Sequence, residues 1–390
     1  MHMKATVAFC GTRGIPAAYG GFETAVDEIT LRLVQEGVDC HVFGRSESEG
    51  NNDSIDDRKI INVKGSPSRK LDTFVSSINT GKYLFKHRKE YDFVFWFNNA
   101  NLPGILLTRL ARIPMAVNTD GLEWRRMKWS WPFKLYYFFS SLLICLFCKK
   151  LISDSVSIQN YYKSIFLRNT QFIPYGAPMI SQIDEEKKLD ILKKYELNGQ
   201  KYFIQITRFE LDNLPLKIIE GFIKSRLYEE GYQFVLVGYR DVTPYSEMLM
   251  ALDQKKGVRI LPANYDQEEL AVLRENAECY LHGNSVGGTN PALLEAMGSC
   301  KKVMAIDGPF SKEVLGGYGL LFTKERLAEQ FREVINMEDQ SRGMKERLYS
   351  TYQWDAVARS YRELMTSKST NYLNQVERNV EIELSTNSIW

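Results

Sequence analysis

The chain has 390 residues, of which 44% are hydrophobic and 25% are charged, and its formal net charge is +2 at neutral pH. These values are typical of a globular protein long enough for two domains, and they exclude the disordered and fibrous classes. A net charge so close to zero, without a long basic run, argues against a nucleic-acid-binding protein.

The N-terminus and the cysteines predict a cytoplasmic protein. The first residues lack a charged segment followed by a long apolar stretch, so no secretory signal is expected. Six cysteines stand in apolar contexts, which favours buried thiols over a disulfide framework, and Cys145 and Cys148 have no second cysteine pair nearby. Only four histidines are present, so we expect no multi-histidine metal site.

Short β-branched or aromatic runs alternate with helical patterns along the chain. The runs are ATVAFCG, CHVFGR, DFVFWFN, MAVNTDG, KLISDS and QFIPYG in the first half, then KYFIQIT, YQFVLVG, GVRILPA, ECYLHG, KKVMAID and YGLLF. The alternation predicts an α/β fold with parallel sheets, and it restarts after a charged linker near residue 180. We therefore predict Rossmann-like domains over residues 1–180 and 181–355, followed by a last helix and polar tail over 356–390.

The first informative loop is FCGTRGIPAAYGGFETAVDEI, between the first predicted strand and a helix that places Val26, Ile29 and Leu33 on one face. Gly20 and Gly21 would let the backbone approach an anion at the helix N-terminus, and Arg13 could add charge-assisted hydrogen bonds. The alternative is a turn that needs glycine only for packing. The spacing does not fit the G-x-G-x-x-G fingerprint of nicotinamide dinucleotide binding.

A second loop, in HGNSVGGTNPALLEAMGSCKKVMAID, has the same strand, loop and helix order. Gly288, Thr289 and Asn290 open a helix whose first position is Pro291. Two loops of the phosphate-binding type, one in each domain, could therefore face each other across a cleft. Glu295 lies one turn inside the helix, within reach of ligand hydroxyls, or it is simply a solvated helix residue.

These residues resemble a known family. GGTNPALLEAMGSCKKVMA is similar to the donor-binding helix of family 4 glycosyltransferases. GTRGIPAAYGGFE and VNTDGLEWRRMKW resemble a bacterial, rhamnosyltransferase-like subgroup that builds surface polysaccharides. The resemblance implies a GT-B fold: two Rossmann-like domains facing across a cleft, the nucleotide sugar held mainly by the C-terminal domain, and a C-terminal helix crossing back to the N-terminal domain. It also implies transfer with retention of configuration and no bound metal or other cofactor.

The resemblance assigns donor-binding roles on the C-terminal helix. Glu295 matches the glutamate that contacts the donor ribose, but Gly287 stands where the family has its first glutamate. The backbone amides of Gly288, Thr289 and Asn290 are therefore expected to hold the sugar and diphosphate.

Three further positions complete the expected donor site. Arg208, in ITRFELDN, matches the family's phosphate-binding arginine, and Asn213 stands near the position of an absent lysine, for which Arg13 or Lys217 could substitute. Tyr265 could stack on the base. A surface ion pair is the alternative for Arg208.

Glycosyl transfer also needs a group that accepts a hydrogen bond from the attacking hydroxyl. Asp120 follows the strand PMAVNTDG, where a carboxylate would project into the cleft, and Glu123 is the alternative. Asp120 could instead cap a helix or a turn. The polar segment NDSIDD is predicted to be a solvated loop and not a metal-binding motif.

The acceptor implied by the resemblance is a lipid diphosphate-linked sugar. Residues 124–148 begin with interleaved tryptophans, arginines and lysines and continue into the uncharged run 135–148. Such a mixture suits a lipid headgroup layer, although fourteen helical residues rise about 21 Å, too little to span a bilayer. The segment is either a membrane contact at the inner face of the membrane or an ordinary buried helix.

Together these features predict a hexosyltransferase that uses a nucleotide sugar, with rhamnose from dTDP-rhamnose suggested by the resemblance. Two alternatives remain open: a sugar-nucleotide epimerase of GT-B architecture, and a non-catalytic subunit that binds a sugar nucleotide. The second follows from Gly287 and the absent lysine. A nicotinamide oxidoreductase ranks last.

Overall fold

The computed structural model describes residues 5–16, 21–46, 53–68, 71–119, 121–127, 129–178 and 183–366. The predicted domain boundary near residue 180, Gly20, Asp120 and the tail after residue 366 lie outside these ranges. The parallel α/β architecture predicted from the sequence is confirmed, with one sheet in each half of the chain.

The N-terminal sheet has eight strands in the order β3-β4-β2-β1-β5-β6-β7-β8, all parallel except β3. The strands are β1 (Thr6–Cys10), β2 (Asp39–Ser46), β3 (Ser54–Ile55), β4 (Arg58–Lys64), β5 (Phe93–Phe97), β6 (Met115–Asn118), β7 (Lys150–Ser153) and β8 (Gln171–Phe172). The helices between them are α1 (Gly21–Gln35), α2 (Asp72–Lys86), α3 (Leu102–Leu110), α4 (Trp131–Phe147) and α5 (Val156–Ile165).

The C-terminal sheet has six parallel strands in the order β11-β10-β9-β12-β13-β14. They are β9 (Lys201–Ile206), β10 (Tyr232–Tyr239), β11 (Val258–Pro262), β12 (Cys279–His282), β13 (Val303–Ile306) and β14 (Leu320–Phe322). The helices are α6 (Glu185–Lys194), α7 (Pro215–Ser225), α8 (Pro244–Met250), α9 (Gln267–Glu275), α10 (Pro291–Ser299), α11 (Pro309–Leu315), α12 (Leu327–Ile335), α13 (Ser341–Thr351) and α14 (Trp354–Thr366).

One segment differs from its prediction. In NDSIDD, expected to be a solvated loop, Ser54 and Ile55 form β3 and pair with β4, which the sequence patterns also missed. The buried Arg58 at the start of β4 bonds Asp27 and Asp56, at 2.5 and 2.8 Å. A search for apolar runs misses β4, because this strand begins with a charged residue that is buried and paired.

Helices cover both faces of the N-terminal sheet because side chains alternate along its strands. Phe93, Phe95 and Phe97 of β5 pack toward α1 and α14, whereas Val94 and Trp96 pack toward α3, α4 and α5. α1 buries Val26, Ile29 and Leu33 as predicted. The six cysteines are free and buried, which confirms the prediction of buried thiols.

The last helix, α14, crosses back to the N-terminal domain. The Tyr361 ring lies 4.9 Å from Phe95 and 6.1 Å from Phe97, and the Tyr361 hydroxyl accepts a hydrogen bond from Asn118 Nδ2 at 3.2 Å. Where the chain crosses, Gly176 packs so closely against the Trp354 ring that a Cβ would overlap it. The two sheets are thus joined by two tightly packed connections.

Candidate active site

The carboxyl ends of the two sheets face each other, and two glycine-rich loops lie at these ends. The C-domain glycine loop (residues 283–290) joins β12 to α10, and the N-domain glycine loop (residues 11–16) follows β1. In doubly wound sheets ligands bind at this edge, where helix N-termini present unpaired N–H groups.

The C-domain glycine loop ends in a capped helix. Asn290 Oδ1 accepts a hydrogen bond from Ala292 N at 3.0 Å, and Pro291 occupies the first helical position. Gly287 has a φ of +152°, a conformation that side chains disfavour. The chain therefore reaches α10 at the positive end of the helix dipole, where Asn290 already accepts the Ala292 N–H and Pro291 has no N–H.

The opposite domain packs directly onto this loop. A Cβ on Gly288 would overlap the Asp154 carboxylate, and a Cβ on Gly121 would lie 3.2 Å from Gly287 Cα. The Thr289 hydroxyl donates to the backbone oxygen of Asp154, and both residues are only 3% exposed. Glycine is thus needed at 288 because another domain approaches it, and Asp154 is a site residue that the sequence reading missed.

The N-domain glycine loop is held mostly by its own domain. A Cβ on Gly11 would overlap the Phe97 carbonyl, and Gly14 has a φ of +103° and packs against Gly44. Arg45 donates to the carbonyls of Gly11 and Thr12 at 3.3 and 3.2 Å.

Of the predicted anion ligands, Arg13 lies inside this loop and Gly21 is the first residue of α1. Arg13 N donates to Glu23 Oε1 at 3.0 Å. Gly21 stands across the cleft from α10, where a Cβ would lie 3.4 Å from Pro291 Cγ. Gly20 lies outside the described residues. Donor binding by Arg13 and Gly21 stays a prediction.

Glu295 forms an ion pair with Arg274 of α9. The Arg274 side chain is 3% exposed and that of Glu295 is 20% exposed. One Glu295 oxygen therefore neutralises a buried cation. The predicted contact with a ribose stays a prediction, and it would have to share the carboxylate with Arg274.

Arg208 and Asn213 lie on the turn after β9. Arg208 is half exposed and lies 3.6 Å from Glu210, while Asn213 is buried and donates to the Arg208 carbonyl at 2.9 Å. Asn213 holds the backbone of this turn, and the half-exposed Arg208 side chain is accessible to a ligand. Their predicted donor contacts stay predictions.

Glu123, the alternative to Asp120 as the catalytic carboxylate, is engaged on both oxygens. Oε1 pairs with Arg126, and Oε2 accepts a hydrogen bond from Trp129 Nε1 at 2.7 Å. The same segment reaches the other domain, where Met127 N donates to Asp212 Oδ2 at 3.0 Å. Glu123 thus shapes the segment that follows β6, and Asp120 lies outside the described residues.

Two more side chains of the C-terminal domain lie near the site. Tyr265 is 55% exposed, and its hydroxyl lies 3.3 Å from Arg240 Nη1, so its ring is accessible for the predicted stacking. His282, at the end of β12, is 3% exposed, and burial lowers its pKa to about 4. His282 is therefore neutral at physiological pH.

Glu313 of α11 links the two domains beside the site. Its carboxylate accepts hydrogen bonds from Val156 N and Ser157 N, at 2.7 and 3.2 Å, and so caps α5 from the other domain. Burial raises the Glu313 pKa. With the bond between Thr289 and Asp154, this contact joins the two domains beside the C-domain glycine loop.

Among the described residues, this region contains no cluster of metal ligands, and a large cavity lies elsewhere in the molecule. Within the described ranges, no three His, Cys, Asp or Glu side chains form a group that could hold a metal ion. A cavity of about 1000 Å³ lies where the chain passes between the two domains, and it borders Gly298, Ser299 and Trp354. It adjoins the C-terminal end of α10, whereas the predicted donor residues stand at the N-terminal end.

Comparisons with known proteins support the architecture. Residues 4–178 match a family described as a domain of unknown function (DUF1972). No curated protein matches the chain. Sucrose-phosphate synthase from Thermosynechococcus elongatus is similar in structure (TM-score 0.74, 16% identity, 93% of this chain and 98% of that chain).

Two further solved structures agree. HepE from Anabaena, in complex with UDP-glucose, has a TM-score of 0.71 and 14% identity over 93% of this chain and 99% of that chain. A glycosyltransferase from Rickettsia africae has a TM-score of 0.67 and 14% identity over 94% of this chain and 100% of that chain. At such identities the likeness establishes the fold alone. The chain has the predicted GT-B fold, including the crossing C-terminal helix.

Proposed function

We propose that this protein is a retaining, metal-independent glycosyltransferase that moves a hexose from a nucleotide sugar to a lipid diphosphate-linked sugar in bacterial surface polysaccharide synthesis. The proposed donor is dTDP-rhamnose, and the proposed location is the cytoplasm, at the inner face of the membrane. The observation that carries the proposal is the C-domain glycine loop, which opens α10 and lies under the opposite domain.

The donor side is supported by the electrostatics of this loop. A nucleoside diphosphate leaves with growing negative charge, which the N-terminus of α10 and Arg208 would stabilise without a metal. Gly287 has no side chain, so the amides of Gly288, Thr289 and Asn290 are the proposed ligands of the sugar and diphosphate. UDP-glucose bound to the structurally similar HepE supports this class of ligand.

The acceptor side rests on the carboxylates of the N-terminal domain. Because Arg126 and Trp129 engage both oxygens of Glu123, we assign the acceptor-side role to Asp120. Its carboxylate would accept a hydrogen bond from the attacking hydroxyl.

The test is a transfer assay with the full-length protein in EDTA. The donors are dTDP-rhamnose, UDP-glucose, UDP-galactose and GDP-mannose, each offered with a lipid diphosphate-linked sugar. We expect one donor to give a glycosylated lipid, with activity reduced at least about tenfold in Glu295→Gln and unchanged in Glu346→Gln, a matched change at a 63% exposed position.

Other outcomes would contradict the proposal. Conversion of a donor without acceptor would identify an epimerase, and binding without turnover across the panel would identify a non-catalytic subunit. Activity that requires a divalent metal would remove the metal-independent mechanism.

A further inference from the structure

The outer face of α4 carries large apolar side chains at helical spacing. Trp131, Leu135 and Phe139 are 73%, 40% and 50% exposed, and they stand one turn apart. Helices on a protein surface usually present polar residues to water, so a stripe of this kind indicates a surface that something covers.

The neighbouring helix extends this surface. Leu71, just before α2, is 55% exposed, and Phe74 in its first turn is 43% exposed. The Phe74 ring lies 6.5 Å from that of Tyr136 on α4. We call Leu71, Phe74, Trp131, Leu135 and Phe139 the α4 face.

Hydrogen bonds attach α4 to the N-terminal sheet. Ser141 Oγ accepts a hydrogen bond from Asn99 at 2.8 Å, and the Tyr136 hydroxyl donates to the Ala100 carbonyl at 2.9 Å. Both partners belong to the turn after β5, at the carboxyl edge of the N-terminal sheet. The α4 face therefore lies near the carboxyl edge of the N-terminal sheet, which borders the cleft.

The chain segment that contains α4 is rich in cations, and the one acidic residue between Leu71 and Phe74, Asp72, is paired with Arg45. Residues 93–153 contain eight lysines and arginines and only two acidic residues, Asp120 and Glu123. No acidic residue occurs in 124–153. Exposed apolar and aromatic side chains in a segment rich in cations suit the headgroup layer of an anionic bilayer, where rings insert and cations attract lipid phosphates.

Two copies of the chain are a poorer fit to this surface. A symmetric dimer through the α4 face would bring the same basic segments together, and like charges repel. Of the helices in the described part of the chain, none is both long and apolar enough to cross a bilayer. The fitting geometry is a helix lying along the surface.

We propose that the α4 face docks this protein on an anionic membrane surface, with the cleft edge next to the headgroups. The segment 121–127 lies at the cleft, where Met127 N donates to Asp212, and the Met127 side chain, 60% exposed, lies four residues before α4 in the sequence. An acceptor anchored in the bilayer would thus meet the site without leaving the membrane. The choice of a membrane as the partner rests on the proposed function, because docking would bring a lipid-linked acceptor to the site.

The test is sedimentation of the full-length protein with vesicles of phosphatidylcholine alone or mixed with phosphatidylglycerol. We expect binding to the mixed vesicles that weakens as salt is added. The double variant Trp131→Ser/Phe139→Ser should lose at least about tenfold in partition. Val242→Ser, which removes a 70% exposed apolar side chain from the other half of the chain, should bind like wild type.

Three outcomes would overturn the proposal. These are no vesicle binding, equal binding by the double variant, or a wild-type dimer that the double variant converts to a monomer. Equal melting temperatures would show that the variants fold.

A water-soluble acceptor analogue separates this proposal from the proposed function. Wild type and double variant should transfer sugar to the analogue equally well. Vesicle binding without any transfer would contradict the proposed function and leave the docking surface standing. Transfer to the analogue without vesicle binding would do the reverse.

Discussion

The two glycine-rich loops look alike in sequence but differ in what packs against them. In the N-domain glycine loop, Gly11 and Gly14 pack closely against Phe97, Asn101 and Gly44, all within the same domain. In the C-domain glycine loop, Gly288 packs closely against Asp154 of the opposite domain. The first loop needs glycine for its own turn, and the second needs glycine because the cleft closes on it.

Because of this difference, substitutions in the two loops should have different effects. Substitutions in the N-domain glycine loop should act on folding, whereas substitutions in the C-domain glycine loop should act on ligand binding and domain closure. Gly21 is the exception in the first half, because it stands opposite Pro291 across the cleft.

The largest expected effect lies at the Arg274–Glu295 pair. Glu295→Ala leaves the buried Arg274 cation without its partner, which should lower the free energy of unfolding by about 3 kcal/mol. Urea denaturation measures the change. The control is Glu220→Ala, which breaks the exposed pair with Lys217 and should cost less than about 1 kcal/mol. Equal losses in the two variants would contradict the structural role of Glu295.

His282, next to the C-domain glycine loop, should make stability depend on pH. Its folded pKa of about 4 lies below the ordinary 6.5, so the unfolded chain binds a proton that the folded one does not. Stability from neutral His282 is therefore present above pH 6.5 and is lost as the pH falls toward 4, by about 3 kcal/mol. Urea unfolding of wild type and His282→Gln at neutral and acidic pH measures this. A wild-type slope retained in the variant would exclude His282 as its source.

Gly14→Ala and Gly288→Ala should affect different properties. Gly14→Ala forces alanine to a φ of +103° and should cost about 2 kcal/mol of stability with unchanged nucleotide-sugar affinity. Gly288→Ala should instead lower transfer at least about tenfold, and Asp154→Ala should partly restore it by removing the overlap. Thermal unfolding and transfer assays on the three variants measure both effects. A swap of the two phenotypes would refute the comparison of the loops.

The smallest expected effect is at Arg208. Arg208→Ala breaks only a half-exposed pair with Glu210, so stability should change by less than about 0.5 kcal/mol. If Arg208 binds the donor diphosphate, calorimetry should show about a tenfold rise in the Kd of the nucleotide sugar. An unchanged Kd would contradict the role of Arg208 as a diphosphate ligand and leave the α10 N-terminus as the proposed one.

Apolar periodicity and glycine placement predicted most of the fold, because strands and helices are local. They gave every strand of the C-terminal sheet, the buried face of α1, and the loop that opens α10. They missed β4, whose first residue is a buried arginine. Asp154 and Glu313 were also missed, since each acts on a residue more than a hundred positions away that only the closure of the two domains brings near. No single-sequence pattern carries such a contact.

The central claim is that the C-domain glycine loop binds the donor and the N-domain glycine loop serves mainly its own fold. Hydrogen exchange followed by mass spectrometry, with and without a saturating nucleotide sugar, tests it directly. We predict slower exchange over residues 283–291 and little change over residues 11–16. Protection confined to residues 11–16, with none over 283–291, would contradict the claim.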